Sequence, residues 1–298
     1  MITVLWVMTV AAIVAMAGEL AGRNAVNGSA NRVHLERALW LARGCAARAQ
    51  AAIDTALAAG KTFDAAADTW RVLQRAALPV PGVDPVECAI TLEAAGTRLD
   101  ANDATEEMLQ RLFDGLGLSA NAEALVAAVA DWRDSDDVPR PAGAERDWYA
   151  AMRRELPRNG PLADIRELAR VRGFESLSML ERVMTAEQGR VSLATAPASV
   201  LVAVPGISSE TADEIVALQN AGTPVSDVAS LLGLVSRASA DSMLAHFPEI
   251  VRATTPDPDA WILTASASVG MPRVTVTLSR RLLRAGKHAV VTSSRSEP

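Results

Sequence analysis

The sequence is short of the residues that usually carry chemistry. Its 298 residues include two cysteines, three histidines and one tyrosine, and aromatics make up 4%. His34, His246 and His288 are too scattered for a ligand set or a catalytic pair. Cys45 and Cys88 lack the paired spacing of a metal site. They read as two buried free thiols, the alternative being a disulfide in an oxidising compartment. No Ser, Cys or His stands in a nucleophile motif and no Gly-rich loop is spaced to cradle phosphate, so the chain reads as a non-enzyme without a small-molecule substrate. Cations are also in deficit. The net charge is −6 and the pI about 5.2, which disfavours nucleic acid and anionic membrane surfaces unless a local patch reverses the sign. The most basic stretch, Arg273 to Arg295, is loosely spaced.

One local absence organises the rest: Met1 to Gly18 contains no charged side chain. Eighteen helical residues reach roughly 27 Å, close to the roughly 30 Å hydrocarbon thickness of a bilayer. A cleavable signal would need a basic front end, and none precedes this run, so the expectation is a retained membrane anchor. A start lying a few residues inside the true gene would hide a short basic leader. After Arg23, apolar residues at Leu35, Leu39, Ala42, Ala46, Ala49, Ile53 and Leu57 form one helical stripe, and Gly60 stops it. The rod is expected to run from residue 2 to 59.

Strand signals are few and far apart. Residues 61–85 close on Pro79, Pro81, Gly82 and Pro85 and read as loop, and Val86 to Leu92 then reads as a strand. The next strands come only at Ala260–Ser268 and Arg273–Leu282, around a Gly270-Met271-Pro272 turn. Neither a lone strand nor a lone hairpin is stable in water, so these pieces are expected to form one small sheet on the long helix. The helical text from Asn102 to about His246 is then an insertion. The fold class is α+β.

Within the insertion, Arg98–Ala104 aligns with Arg190–Ala196 at an offset of 92 residues, as do Leu109 with Leu201 and Leu112 with Val204. Two copies of one unit are expected, with Asp103 and Thr195 suited to cap the helices that follow. The second copy runs through Val204-Pro205-Gly206-Ile207 in a helix-hairpin-helix pattern, a motif that holds phosphate in nucleic-acid-binding versions. Its charged neighbours, Glu210, Asp213 and Glu214, are all acidic, which favours a structural role.

The most chemical text is Asp131-Trp-Arg-Asp-Ser-Asp-Asp-Val-Pro139, followed by Gly143-Ala144-Glu145. Clustered carboxylates in a Pro- and Gly-containing loop are hard oxygen ligands suited to Ca²⁺. A solvated acidic turn is the alternative. Trp148 and Tyr149 read as packing residues.

An apolar segment containing ITVLWV, then RLDAND, ADWRDSDD, GAERDWY, PRNGPLADIREL and RVSLATAPASVLVAVPGI, in that order, resemble type II secretion system protein K, a large minor pseudopilin. The resemblance implies a type IV pilin-like fold with a large all-α domain inserted, containing helix-hairpin-helix-like repeats. It implies a place at the tip of the periplasmic pseudopilus beside minor pseudopilins I and J, and a single-pass anchor in the bacterial inner membrane. It also implies structural Ca²⁺, with Asp134, Asp136, Asp137 and Glu145 as ligands. The expected divisions are residues 1–22 for the membrane helix, 23–98 for the pilin-like helix and first strand, 99–250 for the insertion, 251–285 for the remaining strands and 286–298 for a tail. Two features depart from the family: the basic leader ending in Gly is absent, and Ser192 and Ala194 stand where the second repeat usually has Asn. The competing function is a membrane-anchored helix-hairpin-helix nucleic-acid receptor of the DNA-uptake type.

Overall fold

Apolar side chains recur every three or four residues from Ala38 to Leu57. In the computed structural model, which describes residues 2–60, 88–175, 178–223, 225–271 and 273–297, that stripe is the buried face of one long helix, α1 (Ile2–Ala58). Ala38, Ala42, Cys45, Ala46, Ala49, Ile53, Ala56 and Leu57 are buried, and Gly60 ends the helix with φ 68°. At 1.5 Å per residue, 57 residues extend roughly 86 Å. The apolar N-terminal part presents Ile2, Val4, Trp6, Val7, Met8, Val10, Ile13 and Val14 as exposed side chains. It is long and apolar enough to cross a membrane.

The chain divides into two units, residues 1–92 with 262–298, and residues 93–261. The first begins with α1 and continues into β1 (Cys88–Ala94). The expected loop at 61–85 and the first two residues of the expected Val86–Leu92 strand lie outside the described residues. Cys45 and Cys88 are joined in a disulfide, contrary to the expectation of two free thiols. The pairing depends on the chain folding back after α1, which sequence separation does not reveal.

The inserted unit is built on two similar strand–loop–helix pieces. In the first, β2 (Leu99–Asp100) leads to α2 (Glu106–Gly115), followed by α3 (Ala122–Arg133) and α4 (Arg146–Ala151). The described residues between 152 and 190 form two short 3₁₀ turns and β3 (Met184–Thr185), and Pro157, Gly160, Pro161 and Gly173 work against the continuous helix expected there. In the second piece, β4 (Val191–Ser192) leads to α5 (Ala198–Leu201), α6 (Ser209–Asn220), α7 (Val228–Leu232), α8 (Arg237–Ala245) and α9 (Phe247–Ala253), closing at β5 (Thr254–Thr255). The insertion is therefore not all-α, because β3 pairs in parallel with β2, and β5 with β4. One apolar cluster joins both pieces, including Leu109, Leu112 and Phe113 of the first and Leu201, Val204 and Ile207 of the second.

The caps fall two residues beyond the expected Asp103 and Thr195. Thr105 caps α2 by accepting from the Met108 amide at 3.2 Å, and Pro197 stands at the start of α5. The 92-residue offset survives, because both starts move together.

The chain then returns through β6 (Ala260–Val269), β7 (Val274–Ala285) and β8 (His288–Glu297), giving a four-stranded sheet in the order β1-β6-β7-β8. The expected 286–298 tail is the edge strand β8, antiparallel to β7 and joined by a two-residue turn at Gly286, φ 64°. The sheet lies against α1, where Ala38 packs with Val269 and Val276. Ala289 accepts from Gln50 Nε2 at 3.1 Å and donates to Asp54 Oδ1 at 2.6 Å, fixing β8 to the helix.

Candidate metal centre and the repeat hairpin

Helix α3 is rich in alanine and buried along most of its length, so its last turn carries Asp131 into the interior, where this residue is 0% exposed. Asp134 is the residue after the helix, with extended backbone. The chain then loops back, and Glu145, 3% exposed, stands just before α4. Oxygens from Asp131, Asp134 and Glu145 lie within 4.8 Å of one another. Gly143 makes this approach possible, since a Cβ there would lie 2.0 Å from Asp131 Oδ2.

Three carboxylates this close repel one another. Burial first, then the charges of Asp131, Asp134, Asp137 and Asp136, push the Glu145 carboxyl up to about 7. Arg140 answers part of the charge. Its guanidinium nitrogen donates to Asp131 Oδ1 at 2.9 Å and to Asp134 Oδ2 at 2.5 Å, while its Nε donates to Glu106 Oε1 at 3.0 Å. Its backbone N–H also donates to Asp131 Oδ2, at 3.2 Å. Yet both oxygens of Glu145 and Oδ1 of Asp134 are buried with no hydrogen-bond partner among the described residues. Buried carboxylate oxygens without donors are costly, and a hard cation is the partner that such oxygens suit.

Of the four sequence-predicted ligands, the structure brings Asp134 and Glu145 together. Asp136 and Asp137 face outward; Asp136 Oδ1 accepts from the Val138 amide at 2.9 Å, and Asp137 Oδ1 from Asn159 Nδ2 at 3.0 Å. They contribute field, and their hydrogen bonds shape the loop. Asp131 takes the third place in the group. A usable signal for it was present, since an acidic residue inside an otherwise apolar helix run is a burial anomaly. Nothing local in the sequence marks Arg140, and Gly143 is legible there only as a loop residue. Trp148 and Tyr149 are packing residues, as expected: Tyr149 is buried edge-on to Trp132 at 5.4 Å, and its hydroxyl accepts from the Arg172 amide at 3.0 Å.

The second copy's hairpin is turned inward. Gly206 has φ 83°, and a Cβ there would lie 2.7 Å from the Cβ of His246. Arg111 donates to the carbonyls of Val202 and Ile207 at 3.0 and 2.6 Å, and Ser242 Oγ to that of Gly206 at 3.1 Å. Pro205, Gly206 and Ile207 are all buried, so the turn offers no open amide face to a phosphate.

Residues 90–186, the stretch holding the first repeat and the acidic site, match the profile of the family described as type II secretion system (T2SS), protein K. This stretch, about a third of the chain, resembles the type II secretion protein K family. No curated protein matches the chain. A chain in the crystal structure of the GspK-GspI-GspJ complex from the enterotoxigenic Escherichia coli type 2 secretion system has the same fold, with TM-score 0.72 and 18% identity over 91% of this chain and 99% of that one. The arrangement is thus type IV pilin-like, a long N-terminal helix backed by a small sheet, with a large helical domain inserted. The match over residues 90–186 and the shared fold support a minor pseudopilin of type II secretion, and the apolar N-terminal helix fits a single-pass anchor.

Proposed function

We propose that this protein works at the tip of the pseudopilus, anchored in the bacterial inner membrane with its soluble part in the periplasm, by assembling with minor pseudopilins I and J. The observation that carries the reading is one unbroken helix, with exposed apolar side chains from Ile2 to Met16, Trp6, Val10 and Val14 among them, and one face buried against the sheet from Ala38 onward. Such a rod can exchange lipid contacts for close packing with neighbouring subunits, and its small residues Ala11, Ala12 and Ala15 suit that packing. The inserted unit, residues 93–261, supplies the bulk that ends a filament. Ala12→Arg tests this: the soluble part folds as before, while co-purification with pseudopilins I and J and secretion are lost. Normal secretion by this variant contradicts the reading.

We also propose that Asp131, Asp134 and Glu145 hold a structural Ca²⁺. The support is the three unpartnered buried oxygens and an all-oxygen donor set. The ion, when bound, supplies charge neutralisation that fastens the end of α3 to the start of α4. At an ion concentration a hundred times Kd, it raises stability by about 2.7 kcal/mol. Thermal melting in EDTA and in millimolar Ca²⁺ checks this, and identical curves contradict it. The nucleic-acid reading has no observation in its favour, given the inward-turned hairpin.

A further inference from the structure

Arg140 touches the acidic group without being one of its anionic members. Its guanidinium takes one oxygen from each aspartate, Asp131 Oδ1 at 2.9 Å and Asp134 Oδ2 at 2.5 Å. What remains is the other oxygen of Asp134 and both oxygens of Glu145, all buried and unpartnered. With a cation bound all three carboxylates are ionised and carry three negative charges, of which the guanidinium cancels one, leaving a net charge that a divalent ion balances. Glu106, the other partner of Arg140, has a mostly exposed side chain, so water screens it.

We infer that Arg140 sets the charge selectivity of this site: by pairing with Asp131 and Asp134 it matches the remaining carboxylate oxygens to a divalent rather than a trivalent ion. The inference rests on the divalent-cation reading above. Two physical effects support it. A fixed positive charge beside a site repels an incoming ion in proportion to that ion's own charge, so it penalises a trivalent ion more than a divalent one of similar radius. The guanidinium's forked donors also fix the two carboxylate planes, in the way outer partners orient ligands elsewhere. Arg140 is therefore a positioning residue as well as a counter-charge.

The test is calorimetric titration of the full chain in detergent with Ca²⁺ and with La³⁺, an ion of similar radius and one more charge. In Arg140→Gln the ratio of La³⁺ to Ca²⁺ affinity rises tenfold or more over wild type. This holds whatever happens to the absolute Ca²⁺ affinity, which lost positioning lowers and lost repulsion raises. Arg140→Lys keeps the charge and holds the ratio within about threefold of wild type, a result that a purely geometric role for the guanidinium does not give. An unchanged ratio in Arg140→Gln overturns the inference while leaving the metal site standing. Binding of neither ion by wild type overturns both. Should Arg140→Gln fail to fold, Arg140→Lys decides alone: a ratio raised tenfold despite the retained charge overturns the inference, and a retained ratio supports it.

Discussion

The two halves of the inserted unit share a frame and differ in how it is closed. In the first, the Ala101 amide donates to the Thr185 carbonyl at 2.8 Å and the Ala104 amide to that of Asp100 at 2.9 Å. In the second, 92 residues later, Leu193 donates to Thr255 at 2.8 Å and Ala196 to Ser192 at 2.9 Å. The polar fastening is not shared. Asn102 reaches out from the first loop, donating to the Leu162 and Ala186 carbonyls at 3.0 and 3.2 Å and accepting from the Leu162 amide at 2.8 Å. Ala194 occupies that place in the second loop and does none of this. There Gln219 reaches in from α6 instead, donating to the Leu193 and Ala196 carbonyls at 2.9 and 3.1 Å. The side chain that Ala194 lacks is thus compensated from another element. Apolar spacing and backbone pairing define the repeat, while its polar residues are free to diverge. The acidic site lies beside the first copy, on the loop between α3 and α4.

If the frame is shared, equivalent core positions carry equivalent weight. Leu109→Ala and Leu201→Ala, both at fully buried sites, are each expected to cost about 3 kcal/mol. Urea denaturation of the two variants reads this, and a gap of more than about 2 kcal/mol breaks the equivalence.

The next effect separates the copies by charge. Asp100, 3% exposed, holds the place that Ser192 holds in the second copy. Burial, opposed by amide donation from Asn102, Asp103 and Gly189, pushes its carboxyl up to about 6 from 3.8. Because the folded pKa is the higher one, the folded state binds the proton more tightly. Asp100 is therefore least costly below about pH 4, and its contribution to stability falls as pH rises to about 6, by on the order of 2–3 kcal/mol. Asp100→Asn removes that fall, which shows as the difference between wild-type and variant stability profiles in EDTA from about pH 4 to 7. Parallel profiles contradict the assignment.

A smaller effect tests the closures themselves. Asn102→Ala, which breaks three hydrogen bonds, is expected to cost about 2 kcal/mol, and Gln219→Ala, which breaks two, about 1 kcal/mol. Denaturation midpoints compared in one buffer rank the pair, and the reverse order means the second closure is the stronger.

Periodicity and composition determined much of this molecule. The steps of three and four after Arg23 specified α1 to within a residue at its C-terminal end, because a helix face facing a sheet must be apolar. The scarcity of strands specified an insertion, and the 92-residue echo specified its duplication. The acidic loop was visible as an unusual density of like charge. Contacts distant in sequence were decided only by the tertiary structure. Strand β8 was hidden because nine of its ten residues are exposed, and its only apolar run, Ala289-Val290-Val291, gives way to Thr, Ser, Arg and Glu with no alternation. The disulfide needed Cα atoms 6.4 Å apart across 43 residues of chain. Membership of the acidic group depended on which carboxylates the end of α3 and the start of α4 turn inward, selecting Asp131 over Asp136 and Asp137. Charge density is a property of neighbours in sequence. Burial, and with it the energy of each charge, is a property of neighbours in space.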